Sequence, residues 1–70
     1  MNLSEIGQSI KERRKFLGKT QSDLSDIVGI GLRSLVDIEA GKGNPTIKQL
    51  TKILNALGLT LTITIPNNDR

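Results

Sequence analysis

The feature that most constrains the fold is the stretch 20–42, TQSDLSDIVGIGLRSLVDIEAGK. It contains two short segments with apolar residues three or four positions apart, the spacing that places side chains on one face of an α-helix. Between them, Gly29 lies between Val28 and Ile30, as expected for a tight corner with buried flanks. Ser25, one turn earlier, is small enough to let the second helix cross closely over the first. The stretch therefore predicts two helices joined by a short corner.

This spacing is the sequence pattern of a helix-turn-helix. Leu24, Ile27 and Val28 would form the apolar side of the first helix, and Leu35 and Ile38 that of the second. Any further helices of the domain must come from the residues before and after this pair.

Composition excludes several classes of protein. The 70 residues include no cysteine and no histidine, so disulfides, zinc sites and the commonest general bases are missing. No carboxylate pair or phosphate-binding glycine loop suggests catalysis. The opening MNLSEIGQSI lacks the regions of a signal peptide, and no apolar run approaches the roughly 18 residues of a membrane span. We therefore predict a soluble, cytoplasmic, non-enzymatic domain without cofactor or metal.

Charge is distributed unevenly, although the net charge is only +3. Residues 20–40 carry four acidic side chains against Arg33, whereas residues 11–19 carry five basic ones against Glu12: Lys11, Arg13, Arg14, Lys15 and Lys19. Attraction to nucleic-acid phosphates would thus come from the first helix and the loops. A solvated charged helix face explains the same run equally well.

The N-terminal segment has a helical stripe of apolar residues: Leu3, Ile6, Ile10 and Leu17. Ser4 is the predicted N-cap and Gly18 the predicted end of this helix. Arg14 lies close to the stripe, where a charge requires a partner. Phe16 is predicted to be partly buried against the next helix, with contact to a partner protein as the alternative.

The later helices have caps of different quality. Thr20 and Thr46 are predicted N-caps, and Gly58 closes the fourth helix, whose apolar face comprises Ile47, Leu50, Ile53, Leu54 and Leu57. Gly31 would cap the third helix without a side-chain oxygen. Its bare backbone N–H groups suit a phosphate or a base edge, although a weak cap alone is the simpler explanation.

The C-terminal run alternates Leu59, Leu61, Ile63 and Ile65 with threonines, the period of a β-strand. A lone strand leaves its backbone unpaired, so we predict antiparallel pairing with a second copy. An apolar tail packed irregularly on its own domain is the alternative. The prediction is a mainly all-α domain of four to five helices (1–58), a dimerisation strand (59–66) and a disordered tail (67–70).

These residues resemble the phage-repressor-type (XRE-type) helix-turn-helix regulators, and the Gly31-Leu32-Arg33 run with the terminal strand resembles their HipB-like antitoxin branch. The hallmarks are Arg14, Gly18, Thr20, Gln21, Leu24, Gly29, Ile38, Glu39, Gly41, Lys42, Leu57 and Gly58. The resemblance implies a homodimeric repressor that binds a palindromic operator in double-stranded DNA. It also implies an autoregulating antitoxin of a HipA-type serine/threonine kinase toxin, acting at the bacterial nucleoid.

The resemblance also implies roles for particular residues. Arg14 and Glu39 would form a buried ion pair, and Gln21 would contact a phosphate and brace the reading helix. Positions implied to face base edges are Leu32, Arg33, Val36 and Asp37, with Ser34 next to them, and Lys42 and Asn44 match the loop that touches the DNA backbone. Gly31 joins this set through its bare N–H groups.

Three reading positions depart from the family pattern: Leu32, Val36 and Asp37 stand where Gln, Ser or Arg are common. Base reading would then depend on Arg33, which can bind guanine bidentately, and on apolar contacts with thymine methyls. Asp37 would accept a hydrogen bond from cytosine or repel phosphate. The acidic segment also supports an alternative function, a protein-interaction module that does not read DNA.

Overall fold

A computed structural model describes residues 2–63, which fold into four α-helices joined by short turns. The helices are α1 (Leu3–Phe16), α2 (Gln21–Val28), α3 (Leu32–Glu39) and α4 (Ile47–Ala56). α3 packs against α1 and α2, and α2 also packs against α4. Up to residue 63 the described chain is therefore all-helical, and the mainly helical class predicted from the sequence is confirmed.

Three helices, α1, α2 and α4, begin with capping boxes. The N-caps of α2 and α4 are the predicted residues Thr20 and Thr46. The N-cap of α1 is Asn2, so the prediction of Ser4 was wrong. Asn2 Oδ1 accepts the Glu5 N–H at 2.9 Å and Glu5 Oε1 accepts the Asn2 N–H at 3.0 Å, which satisfies two donors reciprocally. Ser4 could not form such a box, because the residue three positions later is Gly7.

One apolar core joins all four helices. Its buried members are Ile10, Leu24, Val28, Leu35, Ile38, Leu50, Ile53, Leu54 and Leu57. Gly7 permits a close approach of α1 to the end of α3, since a Cβ there would collide with the carbonyl oxygen of Ile38 and lie 2.8 Å from that of Glu39. The α1–α3 contact thus depends on a residue without a side chain.

The corner between α2 and α3 forms as the sequence predicts. Gly29 adopts φ 82°, a left-handed conformation that costs other residues strain. The N–H groups of Gly29 and Ile30 both donate to the Ser25 carbonyl, at 2.8 and 3.1 Å, and so close the helix end. Ser25 is buried beneath the crossing, and its hydroxyl donates to the Ser22 carbonyl.

Several apolar residues assigned to the core from periodicity are exposed. Ile27 is 58% exposed because it lies roughly 100° around α2 from the middle of the arc formed by Leu24, Val28 and Ser25. Ile47 is 68% exposed at the first position of α4. The ends of the α1 stripe, Leu3 and Leu17, are also largely exposed.

Phe16 is 77% exposed, so its predicted burial against the next helix was wrong. Its ring lies instead beneath the Arg13 guanidinium, 5.1 Å from the ring centroid, and the Arg13 Nε–H donates to the Leu57 carbonyl. The only aromatic ring of the chain therefore stacks on a cation at the surface.

The C-terminal segment forms no strand within residues 59–63 of this single chain. Leu59 and Leu61 pack half-buried on the core, whereas Thr60, Thr62 and Ile63 are exposed. A strand requires a second strand for its hydrogen bonds, and the described part of the chain offers none. Ile65, the rest of the predicted strand to residue 66 and the predicted tail 67–70 lie outside the described residues.

Candidate nucleic-acid interface

α3 has one buried side and one open side. Leu35, Ile38 and Glu39 are buried against the other helices. The opposite side carries the residues expected to face DNA bases: exposed Gly31, Leu32, Arg33 and Ser34, and half-buried Val36 and Asp37. The helix is thus held through one face and leaves the other free to contact a ligand.

A buried ion pair connects α1 to the end of α3. Arg14 Nε and Nη2 donate to Glu39 Oε2 and Oε1 at 2.7 and 2.9 Å, so the contact is bidentate. Arg14 Nη1 donates to the Lys19 carbonyl, and the Gln21 side-chain amide donates to Glu39 Oε1 at 3.1 Å. The hydrogen bonding of Arg14 to the Glu39 carboxylate raises the pKa of Arg14, against the effect of burial.

This hydrogen-bonded network holds α3 in one orientation relative to α1 and α2. It joins the end of α1, the first residue of α2 and the last residue of α3, and within residues 2–63 no buried side-chain polar atom lacks a partner. A satisfied buried network of this kind favours one arrangement of the helices, since breaking any bond would leave a buried polar group unpaired. Gln21 thus ties the start of α2 to the end of α3 through Glu39.

The loop after α3 folds back beside the open face. The Asp37 carbonyl accepts the N–H groups of Ala40 and Lys42 at 3.1 and 2.8 Å. A shallow cavity of about 210 Å³ lies between α3 and this loop, lined by Ser34, Asp37, Ile38, Lys42, Gly43, Asn44, Pro45 and Gln49. Four residues expected to meet DNA, Ser34, Asp37, Lys42 and Asn44, therefore lie around one depression.

Besides Ile38 of the core, three cavity residues, Gly43, Pro45 and Gln49, were not assigned to the DNA-facing surface from the sequence. Gln49 forms the capping box with Thr46, in which its side chain accepts the Thr46 N–H at 3.0 Å. The spacing of a threonine three residues before a glutamine was the available signal, because it fixes the orientation of Gln49 at the start of α4.

The first turn of α3 combines a weak cap with an exposed cation. Gly31 makes no side-chain cap hydrogen bond. The Arg33 side chain is 85% exposed, and its Nε lies 3.4 Å from Asp37 Oδ1, one turn further along the helix. Arg33, Leu32 and Val36 do not line the cavity, so the open face divides into an Arg33 side and a loop side.

Residues 2–63 contain no group of side chains that could hold a metal ion. In the same part of the chain, no helix is long and apolar enough to cross a membrane.

Comparison with known proteins identifies the class of regulator to which this geometry corresponds. The helix-turn-helix family HTH_3 matches residues 10–63, which include all of α2, α3 and α4. The chain belongs to this family.

Similar proteins are named as regulators. The uncharacterized HTH-type transcriptional regulator y4mF of Sinorhizobium fredii is 34% identical over 67 residues, which are 96% of this chain and 88% of y4mF. The cryptic phage CTXphi transcriptional repressor RstR of Vibrio cholerae is 37% identical over 57 residues, which are 81% of this chain and 51% of RstR.

A solved structure supports the same assignment. SinR, a master regulator for biofilm formation crystallised in complex with DNA, superimposes with a TM-score of 0.72 at 36% identity, covering 79% of this chain and 89% of SinR. The chain is thus a helix-turn-helix transcriptional regulator, and the prediction that it is not an enzyme is confirmed.

Proposed function

We propose that this HTH_3 regulator is a repressor that binds double-stranded DNA by inserting the open face of α3 into the major groove. The observation that carries the proposal is the two-sided character of α3. One side is fixed by the buried Arg14–Glu39 pair, and the other presents Arg33 almost fully to solvent. A ligand-reading helix must be rigidly oriented and accessible at once.

Separate parts of the surface would contact bases and backbone. Arg33 supplies a long cationic fork in the first turn of α3, where base edges come within reach, and Leu32 and Val36 supply apolar contacts for thymine methyls. Lys42 and Asn44 lie in the loop beyond α3 and are proposed to contact the DNA backbone, as Gln21 is from the start of α2. The uncapped N–H groups behind Gly31 suit a phosphate or base edge.

The repressor is proposed to act as a homodimer. Support comes from the C-terminal segment, in which Ile63 is 93% exposed although the alternation would place it on the side of Leu59 and Leu61. Beside it lies an apolar groove of about 330 Å³, with Ile6 and Leu54 among its lining residues. Antiparallel pairing of the predicted strand with a second copy would give its backbone hydrogen-bond partners and cover the exposed Ile63 side chain.

The finer assignment is an antitoxin of the HipB-like branch that represses its own operon and binds a HipA-type serine/threonine kinase toxin in the bacterial cytoplasm. Its support is the resemblance of the Gly31-Leu32-Arg33 run and of the C-terminal segment. We expect a kinase-like reading frame beside the gene and a stable complex between the two purified proteins. Failure of the neighbouring product to co-elute with this protein would remove the antitoxin assignment.

The test of DNA binding is selection from a random-sequence duplex library, followed by titration of the selected site at several salt concentrations. A repressor should enrich a palindrome with half-sites about 10 bp apart, and its affinity should fall steeply with salt because phosphate contacts release counterions.

A protein-interaction module is the second candidate, favoured by the excess of acidic side chains in residues 20–40 and by the ion pair of Arg33 with Asp37. Absence of any enriched sequence, with no salt-dependent binding to duplex DNA, would favour the module over the repressor.

A further inference from the structure

We infer that Asp37 is a positioning residue that aims the Arg33 guanidinium and thereby sets base discrimination, without reading a base itself. The inference rests on the proposed DNA binding. It is carried by the contact of Arg33 Nε with Asp37 Oδ1 at 3.4 Å across one turn of α3. The Asp37 side chain is 33% exposed and the Arg33 side chain 85% exposed, so the more buried group lies against the more exposed one.

The geometry of the guanidinium makes this contact directional. With Nε turned toward Asp37, the two terminal Nη groups form the free edge of the fork, and guanine O6 and N7 accept from such a pair of donors. An unrestrained arginine at this exposed position would also reach phosphates on either side of the groove. Asp37 therefore favours the base-directed arrangement over the phosphate-directed one.

The carboxylate also disfavours wrong complexes. A negative charge on the reading face is repelled by DNA phosphates whenever the helix lies out of register, and specificity increases when the incorrect complex is penalised. Removal of Asp37 should thus strengthen binding to unrelated DNA while weakening discrimination. By contrast, removing a residue that simply adds affinity would weaken binding to unrelated DNA as well as to the operator.

The side chain can be replaced without disturbing the fold. The loop after α3 is held by the Asp37 backbone carbonyl, which accepts the Ala40 and Lys42 N–H groups, and not by the carboxylate. Asp37→Asn keeps the size and removes the charge. Asp26→Asn is the matched control, because Asp26 is also an aspartate on a helix surface and its loss changes the net charge equally, but it lies on α2.

The experiment is a double-mutant cycle with Arg33→Ala, Asp37→Asn and the double variant. Each protein is titrated against the selected operator, single-base variants of it, and unrelated duplex, with thermal melting to verify folding. We expect Asp37→Asn to reduce discrimination at the base pair read by Arg33 by about two- to fivefold, the range for an exposed ion pair. It should tighten binding to unrelated DNA by a similar factor, and Asp26→Asn should alter discrimination at no base pair.

The double variant decides the mechanism. In the Arg33→Ala background, Asp37→Asn should have no further effect on discrimination among single-base variants of the operator, because there is no fork left to aim, whereas it should still tighten binding to unrelated duplex. If it instead lowers discrimination at a second base pair, Asp37 reads a base directly and the inference is wrong. Unchanged discrimination in the single variant would also overturn it. A wild-type protein that binds no DNA would refute the proposed function itself. That result differs from the two outcomes that would overturn only the role of Asp37.

Discussion

Among single residues, Arg14 has a large expected effect on stability for a charged side chain. Its guanidinium is bonded to Glu39 in the interior and to the Lys19 carbonyl, so removing it strands a buried carboxylate. Arg14→Met should lower the free energy of unfolding by about 3–5 kcal/mol. Lys15→Met, on the next and exposed position of α1, should change it by less than about 0.5 kcal/mol. Urea denaturation of both variants measures the difference; equal midpoints would contradict a desolvated pair.

The sequence predicts the environment of some single residues better than that of others. Arg14 was expected to need a partner because its charge falls beside an apolar stripe, and the structure places Glu39 against it at 2.7 Å. Ile27 was assigned to the core from periodicity, whereas Phe16 lies off the apolar stripe of α1 and its predicted burial had no periodic signal behind it. Periodicity identifies the middle of a buried face, whereas burial at its edge depends on the angle at which the neighbouring helix crosses.

At the scale of elements, the cap of α2 predicts a dependence of stability on pH. Asp23 accepts the Thr20 N–H at 2.9 Å, and this backbone hydrogen bond, followed by that of the Thr20 hydroxyl, lowers the pKa of the carboxyl. A carboxyl whose pKa is lowered on folding stabilises the protein above its unfolded pKa, near 3.9, and loses that contribution as the pH falls through the folded value.

The wild type should therefore exceed Asp23→Ala in stability by a constant amount above about pH 5, and this margin should shrink as the pH falls below about 4. Gln49→Ala is the control, because it removes the corresponding group from the α4 box, where nothing titrates. Chemical denaturation of the three proteins from about pH 2.5 to 7 makes the comparison. A margin for Asp23→Ala that stays flat across this whole range would show that the carboxylate contributes no charge-dependent stabilisation.

The elements differ in how far the sequence determines them. Threonine caps, terminal glycines and the 3.6-residue period are local signals, and they placed α2, α3 and α4 close to their observed positions. The Asn2 cap was missed because Ser4, a residue type that also caps helices, stands two positions later, and the reciprocal bond that identifies Asn2 depends on Glu5. The segment after Leu59 has a strand period but no partner among residues 2–63, so local pattern could not determine its structure.

At the scale of the whole molecule, the assembly can be tested at Ile63. Because its side chain is 93% exposed, Ile63→Glu should leave the stability of an isolated protomer unchanged. In the proposed dimer the same charge would enter the apolar face of the paired strands, so sedimentation should report a monomer. Thr62→Glu, at the exposed neighbouring position, is the control and should sediment as the wild type does. A dimeric Ile63→Glu variant would contradict pairing through this segment.

In the proposed complex, recognition would depend on side chains from α3 and from the loop after it, which the fold brings to one surface. The sequence predicts which residues lie there, because the buried positions of α3 imply the open ones. It could not predict the cavity between Asp37 and Gln49, since that depends on how the loop folds back through the Asp37 carbonyl.

The most direct test compares Arg33→Ala with Lys42→Ala on the selected operator and its single-base variants at two salt concentrations. If α3 reads DNA, Arg33→Ala should cost roughly 1–3 kcal/mol on the operator and abolish discrimination at one base pair per half-site. Lys42→Ala should weaken binding to all sequences alike and reduce the salt slope by about one unit for each phosphate that the lysine neutralises. A uniform loss of affinity for Arg33→Ala would make that residue a phosphate contact, and undiminished binding by both variants would contradict DNA reading by this face.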